Sequence, residues 1–139
     1  MQVRDKFKGT LVTGVIGDDV HVIGIRILEH ALRDAGFKVV SLGGQVSQKE
    51  FINAAVETKA DAILVSSLSG HAKLFVSGFR DKCVEAGLND ALLYLGGQLL
   101  THDTSWQDIE KMYKGMGFHR VYPSNVELSQ VIADLESDL

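Results

Sequence analysis

The sequence predicts an α/β fold, one parallel sheet of five strands with helices on both faces. Three observations carry that expectation. Short apolar runs alternate with longer amphipathic runs along all 139 residues. The run at 60–66, Ala-Asp-Ala-Ile-Leu-Val-Ser, is apolar on both faces, as a central parallel strand is. The connections are short and punctuated by glycines, and no linker, repeat or low-complexity stretch interrupts the series.

The elements follow in order. Residues 11–16 form strand 1, which ends at Gly17. Residues 22–35 carry Ile23, Ile27, Leu28, Ala31, Leu32 and Ala35 at helical spacing, with Gly36 at the C-cap. Strand 2 covers 37–42 and is closed by Gly43-Gly44. Ser47, with Glu50 three residues on, makes a capping box for a helix to about Lys59. Strand 3 is 60–66, and a helix over 72–86 follows, closed by Gly87. Strand 4 is 91–95 and ends in Gly96-Gly97. Ser105 caps a helix over 106–115, strand 5 covers 118–122, and a last helix runs over 126–139. Five β-α units joined by right-handed crossovers give a flavodoxin-like (Rossmann-like) sheet of order 2-1-3-4-5. The whole of 1–139 reads as one domain, with its core at about 10–139.

The bulk numbers exclude several classes of function. An apolar fraction of 45% and a charged fraction of 23% are ordinary for a globular protein. The net charge of −4, without a Lys/Arg cluster, argues against a nucleic-acid partner. No apolar run approaches the roughly 20 residues of a membrane span. The single cysteine, Cys83, and the polar start of the chain fit a cytoplasmic location.

In such a sheet, ligands bind outside the carboxyl ends of the strands, near the switch point between strands 1 and 3. The loop after strand 1, Gly17-Asp18-Asp19-Val20-His21, places two carboxylates where a phosphate would need backbone N–H groups. A phosphoryl-accepting receiver domain needs an Asp ending strand 3 and a Lys ending strand 5; Ser66-Ser67 and Tyr122-Pro123 stand there instead. A simple metal site could draw on His21 and Asp19 with His71 or His102, but no paired ligand spacing supports it. A corrinoid fits better. An imidazole on cobalt needs its other ring nitrogen held by an acceptor, and Asp19 stands two residues before His21. The long nucleotide tail of a corrinoid needs a slot with little side-chain bulk, which Gly24, Gly96 and Gly97 would leave, with Ser66 as a polar contact.

These residues carry a family resemblance. Asp19-x-His21-x-x-Gly24, then Ser66-x-Leu68, then Gly96-Gly97, resembles the motif series of the cobalamin-binding domains of B12-dependent mutases and methionine synthase. Here 41 residues separate Gly24 from Ser66 and 27 separate Leu68 from Gly96, as in that family. The stretches 57–68, 82–88 and 92–97 further resemble the small (sigma, or S) subunits of glutamate mutase, also called methylaspartate mutase.

The resemblance implies adenosylcobalamin bound base-off and His-on, with His21 as axial cobalt ligand and Asp19 hydrogen-bonded behind it. It implies a contacting loop of Asp18, Asp19, Val20, His21 and Val22, and a tail pocket of Gly24, Ser66, Ser67 and Leu68. After Gly96 and Gly97 it implies a further contacting stretch of Gln98, Leu99, Leu100, Thr101 and His102. It implies no catalytic residue in this chain. The partner would be a larger barrel (epsilon, or E) subunit that binds glutamate, in a heterotetramer of two small and two large chains. The reaction would be the radical rearrangement of L-glutamate to threo-3-methylaspartate, a step of glutamate fermentation. The last loop departs from the family's Pro-Gly-Thr and reads Pro123-Ser124-Asn125, while Ser69-Gly70-His71 resembles the methylmalonyl-CoA mutase type. The alternatives are therefore the B12-binding subunit of another carbon-skeleton mutase, or a corrinoid carrier or sensor.

Other residues invite ordinary readings. His30 and His119 are expected to be helix and strand-edge residues, and Asp18 a solvated loop acid that does not ligate the metal. His71 and His102 are expected not to ligate cobalt, though both could border the corrin. Cys83 is expected to pack, and the acids from Asp134 to Asp138 to form a solvated helix face.

Overall fold

A computed structural model describes residues 7–17, 23–68, 72–99, 101 and 104–139. Five strands, β1 (Thr10–Val15), β2 (Lys38–Ser41), β3 (Ala62–Ser67), β4 (Leu92–Gly97) and β5 (Arg120–Val121), form one sheet of order β2-β1-β3-β4-β5, every pair parallel. Six helices are described: α1 (Ile23–Asp34), α2 (Gln48–Thr58), α3 (Ala72–Val76), α4 (Phe79–Glu85), α5 (Trp106–Gly115) and α6 (Leu128–Asp138).

Alternation along the inner strands sorts the core into two layers. Val12, Ile63, Val65, Leu93 and Leu95 face α2 to α5, where Phe51, Phe79 and Phe118 form a run of tilted ring contacts at 5.8 and 6.3 Å. Leu11, Ala62, Leu64 and Tyr94 face the other way, against Leu32 of α1 and Val131 and Leu135 of α6. The strands thus bury both faces, which is why their sequence reads as continuous apolar runs.

Local chemistry explains the element ends. Ser47 and Glu50 close the expected capping box, each at 3.1 Å, and the Ser105 hydroxyl accepts from the Asp108 N–H at 3.3 Å. Gly36, at φ +101°, turns the chain after α1 so that the Phe37 N–H reaches the Leu32 carbonyl.

The structure differs from the sequence reading in four places. The helix expected over 72–86 is two helices, broken at Ser77 and Gly78, the latter at φ +76°. The Ser77 hydroxyl donates back to the Lys73 carbonyl at 2.6 Å, and the Gln48 side-chain amide donates to the carbonyls of Phe75 and Ser77 at 2.6 and 2.9 Å. A long-range side chain therefore satisfies the carbonyls that the break leaves free. Second, β4 continues through Gly96 and Gly97, which pair with Ser66 and Ser67. Third, α1 buries Ile25, Glu29 and Leu32, whereas Ile27 is 55% exposed. A charged residue occupies the inward stripe and an apolar one leaves it.

Fourth, two of the C-terminal acids are drawn onto the sheet, whereas Glu136 stays exposed as expected. Asp134 is buried and accepts from the Tyr122 hydroxyl at 2.6 Å and from the Gln130 amide at 2.8 Å. Asp138 accepts from the Tyr94 hydroxyl and takes two hydrogen bonds from Arg120, each 2.9 Å. This network ties α6 to β4 and β5. The Arg120 hydrogen bond is the main reason the Asp138 carboxyl sits at about 2, below its ordinary 3.8. Burial, and then the Asp138 hydrogen bond, push the Tyr94 hydroxyl well above the usual range, so it remains a donor.

A depressed native carboxyl stabilises the fold above its unfolded-state pKa and loses that contribution as pH falls through the native one. Asp138→Asn is expected to cost about 1–2 kcal/mol at pH 7, allowing for solvent screening at Arg120. In urea unfolding the gap from wild type should close as pH falls from 3.8 toward 2.

Candidate functional site

The sheet loses its side-chain bulk toward the carboxyl ends of β3 and β4 on the α1/α6 face. Leu64 and Tyr94 are register partners and form a filled layer. The next partners on that face, Ser66 and Gly96, are small. A cavity of about 280 Å³ opens above them, between α1 and α6. Gly24, Ile25 and Leu28 form its α1 wall, and Leu128 and Val131 of α6, with Val126 just before it, the opposite wall. The Tyr94 and Tyr122 rings, 5.8 Å apart and nearly perpendicular, line it from the sheet side. The Tyr–Asp hydrogen bonds to α6 hold the far wall against these rings.

Six expected site residues meet in this cavity: Gly24, Ser66, Leu68, Gly96, Gly97 and Gln98. Others take different places. Ser67 is buried with a hydroxyl that has no hydrogen-bond partner among the described residues, and it does not line the cavity. Leu99 belongs to the core on the opposite face and lines a second cavity with Gly97, Gln98, Trp106 and Pro123. The Thr101 hydroxyl donates to Thr104 at 3.0 Å and lines neither cavity. Asp18, Asp19, Val20, His21, Val22, Leu100 and His102, and also His71, lie outside the described residues. Among the described residues no group of three acids, histidines or cysteines could hold a metal.

The three glycines do different things. Gly97 has φ +110°, and a Cβ there would lie 2.1 Å from the Ser67 carbonyl oxygen, so backbone packing alone demands glycine. A Cβ at Gly24 would meet nothing within 4 Å. At Gly96 it would make only ordinary contact, 3.7 Å from the Tyr122 Cβ. Gly24 stands in the first turn of α1, where glycine costs at most the about 1 kcal/mol against alanine of a helix interior, and α1 gains no packing from it. Empty space at Gly24 and Gly96 is what a slot for an inserted group requires. The departure at 124 is harmless to the backbone, because neither Ser124 nor Asn125 adopts positive φ.

Sequence reasoning missed the apolar lining: Ile25, Leu28, Leu64, Tyr94, Tyr122 and Val131. Period-2 spacing back from Ser66 and Gly96 points to Leu64 and Tyr94 on the same face. Nothing local marks the α6 residues, because they arrive from the far end of the chain.

Comparison with known proteins bears directly on this slot. Residues 9–118 match the B12 binding domain family. The chain is 51% identical to the glutamate mutase sigma subunit of Clostridium tetani, over 95% of this chain and 96% of that one. It is likewise 51% identical to that of Carboxydothermus hydrogenoformans, over 93% and 94%. The chain belongs to the glutamate mutase sigma subunit family. Among solved structures it resembles the monomethylamine corrinoid protein of Methanosarcina barkeri, with a TM-score of 0.79. That likeness is 20% identical and covers 99% of this chain and 61% of the other, so it speaks for the fold alone. No described helix is long and apolar enough to cross a membrane.

Two substitutions separate the roles of the glycines. Gly24→Ala is expected to leave urea stability unchanged or raised by up to about 1 kcal/mol, while weakening cobalamin binding about tenfold or more in a spectral titration. Gly97→Ala should instead destabilise the fold itself, with or without cofactor.

Proposed function

We propose that this chain is the cobalamin-binding subunit of an adenosylcobalamin-dependent glutamate mutase, which rearranges L-glutamate to threo-3-methylaspartate. One coincidence carries the reading: a full-length likeness to glutamate mutase sigma subunits, on a chain whose sheet leaves an open slot at Ser66 and Gly96. The slot suits a group that is long, partly apolar and bulky, since its walls are Leu28, Leu64 and two tyrosine rings and its floor carries only the small residues Ser66 and Gly96.

In this reading His21 ligates cobalt through one ring nitrogen. Asp19 accepts a hydrogen bond from the other, which fixes the tautomer and makes the ligand more basic. Ser66, Gly24 and Gly96 would hold the nucleotide tail in the slot. Leu28, Leu64 and Tyr94 keep water from its buried part. Adenosylcobalamin supplies radical chemistry through homolysis of its cobalt–carbon bond. Substrate binding falls to a larger barrel subunit, in an assembly of two small and two large chains. Cys83 is buried, its thiol pushed up to about 11 by that burial, and is at home as an unreactive residue of a cytoplasmic protein.

Electron paramagnetic resonance of the cob(II)alamin complex tests the ligation. Wild type should show superhyperfine coupling to a protein imidazole nitrogen, and His21→Ala should lose it; the same spectrum from both proteins would end the assignment. The purified chain with adenosylcobalamin should convert no glutamate until a barrel subunit is added.

A further inference from the structure

Glu29 is the residue that the function proposed above leaves unexplained. It lies on α1, one helical turn after Ile25 and three residues before Leu32, and all three side chains turn inward. That stripe is where a helix against a sheet normally carries apolar residues. Glu29 is nevertheless 0% exposed. Its Oε2 accepts from the Thr13 hydroxyl at 2.5 Å, and Thr13 is itself fully buried in the middle of β1. Its Oε1 has no hydrogen-bond partner among the described residues and lies 3.5 Å from the Arg26 guanidinium, which also donates to Ser41 at 3.2 Å. Thr13 and Ser41 are register partners on β1 and β2, so the polar spot continues across two strands.

A buried carboxylate is a poor way to stabilise a fold. An apolar side chain of similar volume often does as well or better, whereas a hydrogen-bonded polar pair admits only one alignment. A stripe of Ile and Leu tolerates sliding. Each residue of helix rises 1.5 Å and turns about 100°, so a slip of one residue would swing Gly24 away from the slot. Around Gly24 the other anchors are the buried Ile25 side chain, which is apolar and non-directional, and the Arg26 bond to Ser41 from an exposed side chain. Ile27 is exposed and Leu28 faces the cavity.

We propose that Glu29 is a positioning residue: its hydrogen bond from Thr13 sets the depth and rotation of α1 on the sheet. It thereby places Gly24 over the Ser66/Gly96 floor. This rests on the cobalamin reading for its consequence, though not for the indexing of α1 itself.

Three variants of the full chain test it: Glu29→Met, which keeps the volume and removes the acceptor; Glu29→Gln, which keeps an acceptor; and Thr13→Val, which keeps the shape and removes the donor. Without cofactor, Glu29→Met should exchange the amides of Ile25 to Leu28 at least tenfold faster than wild type, while its urea midpoint stays the same or rises. With cob(II)alamin it should bind at least tenfold more weakly, and the bound fraction should show mixed spectra, with and without protein-imidazole coupling. Glu29→Gln should restore both readouts. Should Glu29→Met not fold, Thr13→Val carries the same two readouts. Wild-type exchange in Glu29→Met together with a uniform imidazole-ligated spectrum overturns the proposal. A wild-type protein without imidazole coupling would overturn the His21 assignment instead, and the cofactor-free exchange would still decide the role of Glu29.

Discussion

The pairing of β3 with β4 runs to the last residue of each strand, and it does so because position 97 has no side chain. The Ser67 carbonyl passes where a Cβ would stand, and Gly97 takes a backbone conformation that other residues avoid. Two strand ends held this close bring Ser66 and Gly96 side by side on the opposite face. Two small residues in register leave a gap in a layer that Leu64 and Tyr94 otherwise fill. The cavity, its orientation and the need for two helices to flank it all follow from that local shortage of bulk.

The flanking helices are held by polar contacts as well as by the apolar layer of Leu32, Val131 and Leu135. On one side Tyr94, Tyr122, Arg120, Asp134 and Asp138 bind α6 to the sheet through hydrogen bonds with charged partners, which are stronger and more directional than neutral ones. On the other, Thr13 and Glu29 pin α1. A ligand slot cannot be shaped by close apolar packing, because packing would close it. Directional bonds behind the walls let the walls stand apart. This accounts for polar groups buried on the slot side of the sheet, while the opposite side is an aromatic and aliphatic core.

The division of labour in the proposed enzyme has the same origin. The described helices cover the two faces of one sheet, and its carboxyl edge carries the slot at Ser66 and Gly96. Membership of the glutamate mutase sigma subunit family fits a protein that holds a cofactor for a second subunit to use.

Much of this was legible in the sequence. Strand count and the ends of α2 and α5 follow from periodicity and capping, which depend on residues near each other in the chain, and the sheet order follows from the rules for serial β-α units with right-handed crossovers. The motif glycines and Ser66 were identified as slot residues because strand ends are where such folds bind. The break between α3 and α4 was not legible, because it is stabilised by Gln48 from another helix. The burial of Glu29 and Asp134 and the hydrogen bonding of Asp138 were not legible either, because an acid on a helix reads as solvated until its partner is known, and Thr13, Tyr122 and Tyr94 lie 16, 12 and 44 residues away. By itself the sequence determined which strands exist, in what order they pair, and which chemistry their ends bear. The tertiary structure alone decided how far apart the walls of the slot stand, because that distance is set by hydrogen bonds between residues that only folding brings together.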